Sequence, residues 1–171
     1  VMGGIAVVFG LMVGIMSFSL FGDFGNMLAV LSAVIVIMLV GLVDDIRGLS
    51  PKVRFIIEIL IVLYLIYATG NQINNFHGLW NVNILPEWAS VPLTVFACVG
   101  IINAVNLIDG VDGYSSGYCI MASFYFGYSF FKLGNMKMVA LAAIIVASLL
   151  PFFCCNVFGK HSKMFIGDAG T

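Results

Sequence analysis

Long runs of apolar residues alternate with short polar stretches along this chain, and the pattern predicts a bundle of membrane-spanning helices. Each run approaches the length that crosses about 30 Å of hydrocarbon at 1.5 Å per residue. We predict an all-α fold with about six transmembrane helices and one short external hairpin at residues 70–90. The predicted helices run from about Gly3 to Phe21, Asn26 to Val43, Val53 to Thr69, Val91 to Val105, Ser115 to Leu133 and Met136 to Phe153.

The composition agrees with a membrane protein and excludes several other classes. The mean hydropathy is +1.14 and 62% of the residues are hydrophobic, which leaves too few polar side chains to cover a soluble globule. A net charge of −1 offers no basic surface for nucleic acid. The chain begins at Val1 without a charged leader, so we expect no removable signal peptide. We interpret residues 1–171 as a single membrane domain that is a fragment of a longer fold.

The most polar stretch runs from Asn103 to Gly117 and reads Asn-Ala-Val-Asn-Leu-Ile-Asp-Gly-Val-Asp-Gly-Tyr-Ser-Ser-Gly. Two Asp-Gly pairs are typical of a turn, because glycine accepts positive φ and Asp hydrogen-bonds its own backbone. A simple connecting turn is therefore one interpretation. The other is a site for a metal or a phosphate, since carboxylate and amide oxygens suit a hard cation such as Mg²⁺.

The number of predicted spans decides between these interpretations. Two helices separate Asp44-Asp45 from the Asp-Gly loop, and two more separate that loop from Asp168. An even number of crossings returns the chain to the same membrane face. Five of the eight acidic residues therefore collect on one side, which are Asp44, Asp45, Asp109, Asp112 and Asp168.

The same face carries most of the basic residues, with five Lys or Arg against Lys132 and Lys137 on the other. The positive-inside rule then places this face in the cytoplasm. Clustered carboxylates repel one another unless a cation lies between them. These residues predict a cytoplasmic, metal-assisted site that handles an anionic substrate.

Glu58 is the one charge inside a predicted span and lies four residues after Arg54. An ion pair between these two side chains is the favoured interpretation, and a role in the site is the alternative.

Four motifs in order resemble the signatures of the polyprenyl-phosphate N-acetylhexosaminyl-1-phosphate transferases. They are Met2-Gly3-Gly4, then Gly41-Leu42-Val43-Asp44-Asp45 with Lys52-Val53-Arg54, then Asn103 to Gly113, then Phe165-Ile166-Gly167-Asp168-Ala169-Gly170-Thr171. Ile166 and Thr171 depart mildly from the usual Met and Ser. The resemblance covers only the middle of that family's fold, so we expect residues 1–171 alone to enter membranes without catalysing transfer.

The resemblance implies transfer of a sugar 1-phosphate from a UDP-sugar to undecaprenyl phosphate, with release of UMP, at the cytoplasmic face of the bacterial inner membrane. It implies Mg²⁺ as cofactor, with Mn²⁺ as an alternative, and leaves oligomeric state open, with a homodimer among the alternatives. By resemblance, Asp168 and Asn106 are the metal ligands and Asp44, Asp45, Asp109 and Asp112 are catalytic. The implied substrate-binding residues are Asn103, Asn156, Phe165, Lys52 and Arg54.

The stretch from Asp44 to Lys52 looks more like the branch that uses N-acetylglucosamine than the branch that uses the muramyl pentapeptide. The pentapeptide transferase therefore stays as an alternative within the family. From another class, a transporter or channel subunit could also gather carboxylates. Transport sites tend to lie near mid-membrane on broken helices, whereas these carboxylates are predicted at helix ends.

Overall fold

The computed structural model describes residues 2–19, 25–108 and 113–158. Within these ranges the chain is helical, apart from its connections and one isolated antiparallel bridge between Asn75 and Ile84. The six α-helices are α1 Met2–Ser19, α2 Gly25–Arg47, α3 Pro51–Thr69, α4 Glu87–Ile108, α5 Tyr114–Lys132 and α6 Met136–Phe158, with a 3₁₀ turn at Leu79–Asn81.

The predicted all-α fold is confirmed for the described residues, and the protein is a membrane protein. Within the described ranges, three segments are long and apolar enough by length and composition to cross a bilayer: Met27–Asp44, Glu87–Ile108 and Met136–Phe158. A shorter apolar helical segment covers Gly4–Ser17. Crossing by α1, α3 and α5, which six spans also require, stays a prediction. The predicted turn between the first two helices lies largely at residues 20–24, outside the described residues.

Three helices extend further than the polarity of their sequences predicts. We expected α2 to end at Val43, α4 at Val105 and α6 at Phe153, but they end at Arg47, Ile108 and Phe158. Polar residues at a membrane surface can continue a helix, because its backbone hydrogen bonds do not depend on hydrocarbon around it. Asp44 and Asp45 therefore lie in the last turn of α2, which agrees with their predicted position at a helix end.

Local signals explain where α2 ends and α3 begins. Gly48 adopts a left-handed conformation with φ of 66°, and its N–H donates to the carbonyl of Asp44 at 2.8 Å. Ser50 caps α3 by accepting from the N–H of Val53, and Pro51 occupies the first helical position. The connection is short, so α2 and α3 are antiparallel neighbours.

Each helix packs against the helices before and after it, and α6 returns against α1. Glycines permit the close approach between α1 and α6. A Cβ at Gly14 would lie only 2.5 Å from Cγ2 of Ile144, and a Cβ at Gly10 would lie 3.3 Å from Cβ of Ser148. Because position 10 faces 148 and position 14 faces 144, these two helices run antiparallel. Val7, Ile120, Leu149 and Phe152 form a small core where α1, α5 and α6 meet.

The connection from α3 to α4 forms the predicted hairpin. The N–H of Phe76 donates to the carbonyl of Asn83, and the N–H of Leu85 donates to the carbonyl of Asn74, both at 2.8 Å. Gly78 forms the turn in the left-handed region with φ of 85°. The Trp88 side chain is 81% exposed at the start of α4, as suits an anchor at a membrane interface.

Candidate active site

The described candidate residues lie at one end of the bundle. Glu58 near the start of α3 contacts Asn103 near the end of α4, while Ile73 just beyond α3 contacts Thr94 in the first half of α4. These helices are therefore antiparallel. Likewise a Cβ at Gly113, just before α5, would clash with Cγ2 of Val157 near the end of α6. The end of α2, the starts of α3 and α5, and the ends of α4 and α6 consequently lie at the same end.

Asp44 is held by two neighbours. Its Oδ1 accepts from the N–H of Leu49 at 2.6 Å, and its Oδ2 lies 3.4 Å from Nη1 of Arg54. The first contact fixes the chain leaving α2, and the second joins α2 to α3. Both oxygens are engaged from the protein side, so the carboxylate has a defined orientation at the end of the bundle.

Arg54 connects two carboxylates. Its Nε donates to Oε1 of Glu58 at 3.1 Å, while its Nη1 faces Asp44. The predicted ion pair between Arg54 and Glu58 is confirmed. Glu58 is only 4% exposed, and an unpaired carboxylate at such a position would be costly.

Asn103 extends this network to α4. Its Nδ2 donates to Oε2 of Glu58 and to the carbonyl of Val99, the second at 2.9 Å. Asp44, Arg54, Glu58 and Asn103 thus form one continuous chain of polar contacts across α2, α3 and α4. A narrow crevice runs beside it, lined by Arg54, Glu58, Ile37, Val40, Gly41, Ile57, Ile61 and Ile102.

The contact between Glu58 and Asn103 was not predicted from the sequence. The four-residue spacing to Arg54 identified only one of the two partners of Glu58. The contact joins positions 45 residues apart, and no local pattern reports such a pair. One feature of the sequence could have indicated a second partner for Glu58: the carboxylate lies within a predicted span, and buried carboxylate oxygens are normally both hydrogen-bonded.

Asn106 lies on α4 three residues after Asn103, so the two side chains share a face of the helix. Asn156 is buried in the last turns of α6. It lies at the same end as Gly113, which precedes α5 with φ of 72°. Both asparagines were predicted beyond helix ends, but α4 and α6 continue past them.

Two buried serines were not predicted as site residues. Ser115 and Ser116 lie in the first turn of α5, directly after the Asp-Gly loop. The Ser116 hydroxyl is buried and has no hydrogen-bond partner among the described residues. The signal that could have found them is the Tyr-Ser-Ser-Gly sequence that follows the second Asp-Gly pair.

Lys52 is exposed in the first turn of α3, and Asp45 lies beside Asp44 near the end of α2. Four further predicted site residues lie outside the described residues, so their proposed roles stay predictions. They are Asp109, Asp112, Phe165 and Asp168.

Within the described ranges, no group of three His, Cys, Asp or Glu side chains is arranged to hold a metal ion. At this end of the bundle Asn106 carries an amide oxygen near the end of α4, and Asp44 carries a carboxylate whose two oxygens are engaged by Leu49 and Arg54. Magnesium prefers such oxygen ligands and needs few of them from the protein.

The sequence pattern that defines glycosyl transferase family 4 matches residues 27–171. The chain belongs to this family. Its membership agrees with the predicted family resemblance and favours a transferase over a transporter.

Relatives with two different names match this chain at nearly the same sequence identity. The chain is 31% identical to a probable undecaprenyl-phosphate N-acetylglucosaminyl 1-phosphate transferase of Bacillus subtilis, over 99% of this chain and 47% of the relative. It is 31% identical to a phospho-N-acetylmuramoyl-pentapeptide-transferase of Staphylococcus carnosus, over 99% and 57%. For the enzyme of that name in Streptococcus pneumoniae strain D39, the identity is 30% over 99% and 54%. The chain spans about half the length of these relatives.

Proposed function

We propose that the complete protein transfers N-acetylglucosamine 1-phosphate from UDP-N-acetylglucosamine to undecaprenyl phosphate and releases UMP. A bond forms between the β-phosphorus of the nucleotide sugar and an oxygen of the lipid phosphate. The bond from that phosphorus to the bridging oxygen breaks, and its electron pair leaves with UMP. The observation that carries the proposal is the continuous polar network of Asp44, Arg54, Glu58 and Asn103 at one end of an apolar bundle, in a chain of this family.

The position of this network suits a lipid substrate. A polyprenyl phosphate keeps its chain in hydrocarbon and its phosphate at the membrane surface, where α2 ends and α3 begins. Asp44 has a fixed orientation there because Leu49 and Arg54 hold both of its oxygens. We assign Asp44, with Asp45 beside it, to accepting a proton from the lipid phosphate or positioning it. Lys52, which is exposed in the first turn of α3, supplies a positive charge that attracts the anion.

The other substrate is assigned to the α4, α5 and α6 side of the same end. Asn103 and Asn106 present amide groups from α4, and Asn156 lies at the end of α6. Asp109, Asp112 and Phe165 complete this nucleotide pocket in the proposal. Asn106 and Asp168 would hold Mg²⁺, which lowers the repulsion between the two phosphorylated substrates and stabilises charge on departing UMP. The five-to-two distribution of Lys and Arg supports a cytoplasmic location for this end.

A second candidate substrate is UDP-N-acetylmuramoyl-pentapeptide. It is favoured by the relatives from Staphylococcus carnosus and Streptococcus pneumoniae, whose identities of 31% and 30% nearly equal that of the Bacillus subtilis relative. Both candidates need the same reaction at the diphosphate and differ only in what the sugar carries. The choice between them is a question of sugar recognition.

The test is a transfer assay on membranes that contain the complete protein, supplied with undecaprenyl phosphate and Mg²⁺. Each nucleotide sugar is offered separately with its sugar radiolabelled, and both UMP release and label in the lipid fraction are measured. We expect both products from UDP-N-acetylglucosamine and neither from the pentapeptide substrate, with Asp44→Asn membranes as the inactive control. Turnover of the pentapeptide substrate alone would move the protein to the other branch. No lipid-linked product from either sugar would overturn the proposal.

A further inference from the structure

Glu58 is a buried carboxylate whose two oxygens bind side chains from different places in the chain. Oε1 accepts from Nε of Arg54 on its own helix, and Oε2 accepts from Nδ2 of Asn103 on α4. We propose that Glu58 is a positioning residue that fixes which end of the Asn103 amide faces the substrate. This inference rests on the proposed transferase function and adds a residue that the family motifs in the sequence did not mark.

The orientation follows from the chemistry of the two groups. An ionised carboxylate only accepts hydrogen bonds, so the nitrogen of the Asn103 amide must face Glu58. That nitrogen carries two hydrogens, and the second is donated to the carbonyl of Val99 at 2.9 Å. Both donors of the amide are therefore used within the protein. Oδ1 is the atom that Asn103 presents to a bound group.

This orientation matters because of where Asn103 lies. It is three residues before Asn106 on the same face of α4, and the Asp-Gly loop begins just after that helix. An acceptor at this point can bind an N–H or O–H of the nucleotide sugar. The opposite orientation would present an amide donor there, which repels such a group.

The stability of the bundle does not require the hydrogen bond between Glu58 and Asn103. Arg54 already lies between Asp44 and Glu58, and buried ion pairs are often replaceable by apolar residues without loss of stability. The contact with Asn103 instead imposes a single amide orientation on a residue next to the site. A glutamine at position 58 would not impose it. With its oxygen toward Arg54, the glutamine would turn an NH₂ group toward Asn103 and favour the flipped amide.

The test compares Glu58→Gln, Asn103→Asp and the double swap in the complete protein. Glu58→Gln keeps the shape of the side chain, and we expect kcat to fall about tenfold to hundredfold, as for loss of one charge-assisted hydrogen bond at the site. In the double swap, the glutamine introduced on α3 donates to one oxygen of the aspartate introduced on α4, and the second oxygen of that aspartate faces the substrate again. The contact with the Val99 carbonyl is lost in the double swap and in Asn103→Asp alike, so these two variants differ only at position 58. We expect the double swap to be at least about tenfold more active than Asn103→Asp, in which two carboxylates face each other. The matched control is Glu87→Gln, which removes an exposed carboxylate from the first turn of α4.

Thermal unfolding in detergent separates positioning from stability. The inference requires that the kcat of Glu58→Gln falls while its unfolding midpoint stays close to that of Glu87→Gln, and that the double swap restores activity. If Glu58→Gln does not accumulate, the double swap is compared with Asn103→Asp alone, and the same gain is expected. An unchanged kcat in Glu58→Gln, or a double swap no more active than Asn103→Asp, would overturn the inference. Failure of the wild-type protein to transfer either sugar would instead refute the proposed function itself.

Discussion

Glu58 on α3 accepts a hydrogen bond from Asn103 on α4, and its other oxygen accepts from Arg54. Since Arg54 also reaches Asp44 on α2, three helices are tied together at the end of the bundle where α2 ends and α3 begins. Each tie is polar and lies in surroundings of low polarity, where such contacts are strong when complete and costly when broken. The spacing between the proposed lipid-phosphate and nucleotide sides therefore depends on this network.

Replacing Arg54 breaks the centre of the network. Arg54→Ala leaves the buried Glu58 carboxylate without its cation, and we expect a loss of about 3 kcal/mol in stability together with activity. The stability and activity of Arg54→Lys should lie between those of the wild type and Arg54→Ala. The guanidinium contacts Glu58 through Nε and Asp44 through Nη1, and a single lysine ammonium cannot make both contacts in the same geometry. Denaturation in detergent and transfer rates measure both effects. Arg47→Ala is the control, since Arg47 is exposed at the end of α2. Equal stability of Arg54→Ala and Arg47→Ala would contradict this account.

Gly113 is expected to tolerate no side chain. Its φ of 72° costs an L residue about 1–2 kcal/mol, and an added Cβ would clash with Cγ2 of Val157. We expect Gly113→Ala to push α5 away from the end of α6, displace Asn156 and lower both stability and transfer rate.

Gly134→Ala is a matched control for Gly113→Ala. Gly134 has nearly the same φ of 71°, but nothing lies within 4 Å of the position that a Cβ would take there. Gly134→Ala therefore introduces the same backbone strain as Gly113→Ala but no steric clash. Combining Gly113→Ala with Val157→Ala should recover part of the loss. If Gly113→Ala lowered stability and transfer rate no more than Gly134→Ala, the close contact between Gly113 and α6 would not contribute to either.

Thr94 fixes the hairpin between α3 and α4 to the first half of α4. Its Oγ1 accepts from the N–H of Ile73 at 2.9 Å and donates to the carbonyl of Ser90 at 2.7 Å. Thr94→Val keeps the shape and removes both contacts, so we expect a loss of about 1 kcal/mol and faster proteolysis within residues 70–86. Ser129→Ala is the control, because that exposed hydroxyl bonds only within α5. Equal cleavage rates for the two variants would show that the hairpin is held by other contacts.

The orientation in the membrane can be read by labelling single cysteines from outside the cell. In a background without Cys98, Cys119, Cys154 and Cys155, we expect an impermeant maleimide to label Asn83→Cys but not Ile46→Cys. Both positions are exposed. Ile46 lies in the last turn of α2 and Asn83 in the hairpin, so α3 separates them along the chain. Disrupting the membrane should allow both to react, which controls for reactivity. External labelling at position 46 would refute the proposed cytoplasmic location of the site.

Asp168 is the residue on which the proposed metal requirement depends. Asp168→Asn keeps the ability to cap a helix, since Asn and Asp cap about equally well, but removes the charge that binds a cation. We expect activity to fall by orders of magnitude, with the residual rate shifted to higher Mg²⁺ concentration. Asp23→Asn, in the polar turn predicted on the other face, is the control. A near wild-type rate with unchanged Mg²⁺ dependence would leave Asp168 as a turn or cap residue only.

The sequence by itself determined the helical class and the positions of the apolar segments, because burying backbone in hydrocarbon leaves few alternatives to the helix. It also predicted the Arg54 and Glu58 ion pair, since residues four apart on a helix face the same side. The predicted end of α3 at Thr69 is also where the helix ends, although it starts at Pro51, two residues before the predicted Val53. These features depend on neighbours along the chain.

Only the tertiary structure decided how far the helices extend and which distant side chains meet. The apolar run ends at Val43, but α2 continues to Arg47. The helix extends past the apolar run because its backbone hydrogen bonds do not require apolar side chains. Glu58 could be paired with Arg54 from spacing, yet its contact with Asn103 depends on how α3 packs against α4. Such a contact is fixed by the packing of whole helices, and no local pattern in the sequence carries that information.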